Sequence, residues 1–559
     1  MYLQRRTKFQ IAVLMLLPMF WCQVAHSAET TGSIGVWQRY DQAADLATLA
    51  AHENDSMHFQ RLLSPVQDKN DLWAPFIDEL AAFGDARYQQ LKPLILEADI
   101  ESLHNAVAAG QFSYVELTTF YIYRIREIEL DNQRYLNAVI SLNPQAIALA
   151  RLADQRRMRE AIDPFSMVGI PVLLKDNIGT ASLPTTAGAL ALQYNQTRDA
   201  FIAAQLKNAG AIILGKANLS EWAYFFCQQC PSGYSAMGGQ TLNPYGRFEF
   251  GTGGSSSGSG TAMAANLASV AVGSETSGSI LSPASSQSVV GLKPTTGSLS
   301  RSGVVPISST LDTTGPITRS VADAVIVFNA MAGFDPADSA MPRLTMDYQL
   351  MLRQIPLSDK RLGVLVDFAD VALYQQALSK LSAAGATLTE AQMPDLERDG
   401  FSELLGGDMV RDLETYLADF GNPVLQIDSI AALQAFNNAA PEQRAPYGQA
   451  LVDMMASLEL SDAELAALRE RLQTAARESL DALFREHELD VLLSYNNRNA
   501  GIAALANYPA LTIPMGYDEN GRPMGLTLIA PSFQEQELVD VGLQFERLSQ
   551  ARRVPAGYE

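Results

Sequence analysis

Between residues 165 and 330, short apolar runs alternate with stretches of glycine, serine and threonine, and this pattern restricts the fold more than any other feature. Val172 to Leu174, Ala211 to Leu214 and Val270 to Val272 are too short for helices and lack the polar alternation of a half-exposed strand. They read as strands buried on both faces of a layered α/β core. Arg361 to Asp367 reads as a further strand, and the late apolar runs around Leu511 and Leu526 belong beside the central ones.

The glycine and serine stretches lie inside this pattern. Gly251 to Gly260 reads GTGGSSSGSG, a composition typical of a flexible linker. The next residues, Thr261 to Gly273, form an apolar helix-then-strand segment that would bury the stretch against the core. Small residues there let the backbone approach a substrate and offer N–H donors. Ser255 lies in this stretch and Ser279 in GSETSGSILSP, Gly273 to Pro283. A hydroxyl needs a proton acceptor to become a nucleophile, and the five histidines (26, 52, 58, 104 and 487) all lie outside residues 105 to 486. The base is then an amine, and a lysine serves only if burial lowers its pKa from about 10.4. Lys175, at the end of the apolar run in GIPVLLKDNI, is placed to be that lysine.

These residues resemble the amidase signature family, whose catalytic set is a Ser–cis-Ser–Lys triad. The family's lysine segment is similar to Gly169 to Ile178, its bridging serine maps to Ser255, and its nucleophile maps to Ser279. The resemblance continues through VGLKPTTG (Val290 to Gly297), DTTGP (Asp312 to Pro316), NYPALTIPMG (Asn507 to Gly516) and RPMGLTL (Arg522 to Leu528). Three further segments, GKANLSEWA, GGQTLNPY and AANLASVAVGSET, look most like bacterial peptide amidases, which remove the C-terminal amide of peptides. The resemblance implies an α/β amidase signature fold: a central mixed sheet flanked by helices on both faces, with helical additions. It implies one large amidase domain over residues 93–550, whose variable helical region 400–490 shapes the substrate channel.

It also implies a mechanism without cofactor or metal. Neutral Lys175 takes a proton from Ser255, Ser255 takes one from Ser279, and Ser279 attacks the amide carbonyl. The backbone N–H groups of Thr276, Ser277, Gly278 and Ser279 form the oxyanion hole. The chain departs from the family pattern beside the nucleophile, with Ser277 for glycine, Glu275 for aspartate and Leu281 for arginine. Ser277 would strain the loop if its φ were positive, and without the arginine a substrate carboxylate is not clamped there. The rival readings are a non-catalytic binding protein that keeps the pocket, and an amidotransferase A-type subunit, which export disfavours.

Other motifs are decoys. Gly254 to Gly258 fits the G-x-S-x-G nucleophile elbow, but that fold requires a later histidine, and only His487, in a charged stretch facing solvent, is available. Gly210 to Ala217 nearly spells a P-loop, yet Ala217 stands where Ser or Thr would hold magnesium and the interior reads as a strand.

At the N-terminus, Arg5, Arg6 and Lys8, the apolar run Ile11 to Phe20 and Ala25-His-Ser27 read as a cleavable signal peptide over residues 1–27. The expected location is periplasmic or secreted, with no membrane partner after cleavage. A net charge of −21 argues against nucleic acid and anionic membranes. The expected partner is a small-molecule or peptide amide; monomer or homo-oligomer stays open. Export permits a disulfide between Cys227 and Cys230, with free or regulatory thiols as the alternative.

Residues 28–92 read as a helical N-terminal extension and residues 97 to 160 as helices, with Ser113 a cap. Gly333 to Pro342 reads as an exposed connector. Ser461 and Glu464 form a capping box before a helix with a leucine stripe.

Overall fold

In the computed structural model, residues 35–559 are described apart from Glu397, so the signal peptide expected over residues 1–27 lies outside the described residues. The strands are β1 Val139–Leu142, β2 Pro171–Lys175, β3 Ile212–Ala217, β4 Tyr234–Ser235, β5 Gly239–Gln240, β6 Val270–Glu275 and β7 Val290–Lys293. They continue with β8 Thr313–Thr318, β9 Arg361–Leu365, β10 Thr387–Ala391, β11 Val491–Tyr495, β12 Ala510–Tyr517 and β13 Pro523–Ile529. Eleven form one sheet in the order β1-β3-β2-β6-β8-β7-β12-β13-β11-β9-β10, while β4 and β5 pair separately. The sheet is mixed: β3, β2 and β6 run parallel, and β6, β8, β7, β12 and β13 pair antiparallel. The late strands take central places, with β12 between β7 and β13.

The unbroken apolar runs follow from helices on both faces. Val172 and Leu174 point into a core with Val270, Val272 and the helices Phe201–Asn208, Val321–Met331 and Glu535–Ser549. Leu173 points to the opposite face, with Leu214, Ala271 and the helices Tyr114–Leu130 and Ser257–Ala264. A third core joins Phe401–Phe420 and Asp462–Glu486 to Leu492, Ala510 and Ile529. Each fully buried Val or Leu contributes about 1.5–3 kcal/mol, so hydrophobic burial holds every strand of the site from both sides.

Local signals act as the sequence indicates. Ser113 with Glu116 and Ser461 with Glu464 each form a complete capping box. Residues 36–92 are folded onto the main core. Asn137 Nδ2 and the Gln240 N–H both donate to the Leu62 carbonyl (3.0 and 2.8 Å), and buried Arg124 donates to Tyr88 Oη and to the Ala265 carbonyl.

Two segments differ from the sequence reading. Within 97–160, Val139–Leu142 is an edge strand, antiparallel to β3, and not helix. Gly333 to Pro342 is a connector exposed only in part: Pro336, Ala337 and Ser339 face solvent, but Asp335 and Asp338 are buried, accepting hydrogen bonds from Ser300 Oγ (2.6 Å) and the Arg301 N–H (2.8 Å).

Candidate active site

Parallel pairing sets the geometry. β2 is flanked by β3 and β6 in register Leu174↔Val272, so the C-terminal ends of β2 and β6 emerge side by side. Lys175 ends one strand and Ser274 lies near the end of the other.

The Lys175 side chain is fully buried, with Nζ 2.7 Å from Ser255 Oγ, 2.9 Å from Ser274 Oγ and 3.0 Å from the Ser274 carbonyl. Burial pushes its pKa down to about 7, against the opposing pull of Asp312 and Glu275. A neutral amine carries two hydrogens and one lone pair. The Ser274 carbonyl can only accept, and Ser274 Oγ also receives Asn177 Nδ2 at 2.9 Å. With both amine hydrogens given to the two Ser274 oxygens, the lone pair is left for the Ser255 hydroxyl.

Ser255 follows a cis peptide bond from Gly254. Its carbonyl accepts from the Ser220 N–H at 3.0 Å, and the next N–H, of Ser256, donates to the Ser279 carbonyl at 3.1 Å. The two serine segments are thus joined by their backbones. The GTGGSSSGSG stretch is no linker: Ser255 through Gly260 are buried, and the helix Ser257–Ala264 starts within it.

The loop between β6 and the helix Leu281–Ser286 holds residues 276–279. Its left-handed residue is Gly278, at φ 100°, and Ser277 has no positive φ, so the serine imposes no such strain. Glu275 Oε2 accepts from the N–H groups of Ile280 (2.6 Å) and Leu281 (3.0 Å), fixing the chain just past Ser279. Thr276 Oγ1 donates to Asp312 Oδ1 at 2.5 Å, while Asp312 Oδ2 accepts from the N–H groups of Ile307 and Ser308. Leu281, where the family carries arginine, is fully buried in apolar packing.

Two cavities lie at these segments, the first meeting the loop at Thr276 and the second meeting the helix after it at Ser282. One, of about 210 Å³, is lined by Asn177, Ser274, Thr276, Asp312 and Phe420; the other, of about 520 Å³, by Gly253, Ser282, Asn497 and Cys230. Three successive left-handed residues, Trp222, Ala223 and Tyr224, separate them, with Ala223 on the first cavity and Tyr224 on the second. Cys227 and Cys230 are joined as a disulfide just beyond.

The decoys fall away structurally. Gly210 to Ala217 contributes strand β3, and Lys216 is buried in the core, donating to the Ile178 carbonyl at 2.8 Å. His487 is half-buried at the end of the helix Asp462–Glu486. Sequence reasoning missed Ser274, Asn177 and the anchoring role of Asp312. Asp312 stands in the quoted DTTGP segment and Ser274 in GSETSGSILSP, but their pairings become visible only once β2, β6 and β8 are adjacent.

Fold and site together place a buried lysine amine against a serine hydroxyl at the strand ends of a layered α/β core. The Amidase family model matches residues 116–496. A probable amidase of Arabidopsis thaliana is 35% identical over 479 residues, covering 82% of this chain and 92% of its own length. Among solved structures, an amidase family protein from Bacillus anthracis is 35% identical with a TM-score of 0.83, covering 89% of this chain and 99% of its own. The native peptide amidase of Stenotrophomonas maltophilia is 39% identical with a TM-score of 0.76, covering 82% and 98%. The chain belongs to the amidase signature family and is a hydrolase acting on amides.

Proposed function

We propose that the protein is an exported amidase that cleaves the C–N bond of carboxamides, either small amides or the C-terminal amides of peptides, through an acyl-enzyme on Ser279. The observation that carries this reading is the fully buried Lys175 amine, pushed down to about 7 and 2.7 Å from Ser255 Oγ. Lys175 accepts the Ser255 proton, Ser255 accepts the Ser279 proton, and Ser279 Oγ adds to the amide carbonyl. Backbone N–H groups of residues 276–279 stabilise the oxyanion, a contribution of several kcal/mol for aimed donors. The proton returns through Ser255 to the leaving nitrogen, which departs as ammonia or an amine. Water, deprotonated by the same relay, then releases the acid from Ser279.

Similarity to the Stenotrophomonas maltophilia peptide amidase supports the peptide amide as substrate. Export is supported by the basic and apolar segments of residues 1–27, and by a disulfide suited to an oxidising compartment. The test is ammonia release from simple amides and C-terminally amidated peptides, with Ser279→Ala as control. The reading requires release by the wild type that disappears in the variant. No release from any amide, together with failure of a fluorophosphonate to label Ser279, would favour the binding-protein alternative.

A further inference from the structure

We propose that the 210 Å³ cleft running from Thr276 to the helix Phe401–Phe420 takes the cationic group of the substrate, with Asp412 and Asp419 selecting amides that carry a guanidinium or ammonium. This deepens the amidase reading and rests on it for the cleft's catalytic end.

The charge balance of the cleft is the first observation. Four carboxylates line it (Asp312, Asp338, Asp412 and Asp419), against one guanidinium, Arg301. Arg301 is committed elsewhere: Nη2 and Nε bind Asp338 at 2.5 and 2.9 Å, and Nη1 donates to the Ser309 carbonyl. One turn before Asp412, Asp408 is paired with Arg469 at 2.7 Å. Asp412 and Asp419 form no ion pair among the described residues; Asp412 accepts hydrogen bonds from Ser309 alone, whose N–H lies 2.5 Å from Oδ2. Burial and the neighbouring charges of Asp408 and Asp312 push the Asp412 carboxyl up to about 6, a penalty that a bound cation would relieve.

The second observation is independent of charge. Asn177 and Thr314 line the same cleft and are 2% and 0% exposed, yet Asn177 Oδ1 and Thr314 Oγ1 have no hydrogen-bond partner. The walls are apolar and aromatic, with Val305, Ile307 and the stacked rings of Tyr416 and Phe420. Arg198 already lies over Phe420, its guanidinium carbon 4.1 Å from the ring centroid, a cation–π contact at the cleft's edge. Its charge offsets one carboxylate and leaves the acidic excess in place. All five residues contributed by the 401–420 helix (Asp412, Thr415, Tyr416, Asp419 and Phe420) belong to the region expected to shape the channel.

The test compares L-argininamide with L-citrullinamide, a neutral near-isostere. Calorimetric binding to the Ser279→Ala protein needs no turnover, and kcat/KM of the wild type supplies the catalytic readout. Argininamide should be preferred at least about tenfold, and Asp412→Asn or Asp419→Asn should each cut that ratio at least about threefold. Asp419 is exposed, so Asp419→Asn decides the matter if Asp412→Asn fails to fold. Equal binding of the two amides, or a preference untouched by Asp419→Asn, overturns the cation site. Aspartate-dependent binding of argininamide without hydrolysis of either amide would leave the cation site standing and count against the amidase reading. Hydrolysis of both amides at equal rates would do the reverse.

Discussion

Ser274 receives Lys175 Nζ at both of its oxygens, 2.9 Å at the hydroxyl and 3.0 Å at the carbonyl, so one residue occupies both hydrogens of the neutral amine. That leaves the lone pair no direction except toward Ser255. Ser274 is therefore a positioning residue, and Ser274→Ala should lower kcat/KM by about 10- to 100-fold. Losing an acceptor weakens the ammonium more than the amine, so the acid limb of the pH profile should also move to lower pH. A purely structural serine would lower activity without moving that limb.

The pH dependence follows from Lys175 itself. In the proposed mechanism the neutral amine is the base, and burial holds its pKa at about 7. kcat/KM should rise with pH up to about 7, level off above it, and fall about tenfold for each unit below it. The sign for stability is the same. With the folded pKa below the ordinary 10.5, the unfolded chain binds the extra proton between these values, and this group's contribution to stability grows as pH rises across that window. A rate limb near pH 10, or a flat profile from pH 5 to 9, would contradict the assignment.

Asp312 ties the 276–279 loop, the proposed source of the oxyanion donors, to the Ile307–Ser308 backbone. Asp312→Asn turns an acceptor into a donor facing other donors. It should reduce kcat about 100-fold or more, as loss of an oxyanion contact does, and cost about 1–3 kcal/mol of stability. Steady-state kinetics and urea unfolding measure the two effects; full activity with normal stability would exclude the anchoring role.

The disulfide closes a very short loop, so its effect on the unfolded chain is small. Reduction, or Cys227→Ser with Cys230→Ser, should cost about 2 kcal/mol. Superimposable urea curves for the oxidised and reduced protein would show that the bond contributes nothing.

The parts of this protein that sequence made legible are those whose signal is local. Lys175 announces itself because it ends an apolar run, and Ser113 and Ser461 because a glutamate follows three residues later. The late strands were legible because buried β12 and β13 are almost wholly apolar. What escaped depends on contacts distant along the chain. Asp335 and Asp338 look like solvent-loving loop residues until Ser300 and Arg301 are beside them. Val139–Leu142 became an edge strand only because β3 offered it a partner. At the site, the concern over Ser277 dissolves because the left-handed turn falls one residue later, on Gly278, and sequence cannot place a turn to that precision.

The most direct test of the central claim is labelling with a fluorophosphonate, with the modified residue located by peptide mass spectrometry. The account predicts one label per chain, on Ser279, lost in Ser279→Ala and strongly slowed in Lys175→Ala. A label on Ser255 or Ser277, or a rate indifferent to Lys175, would contradict it.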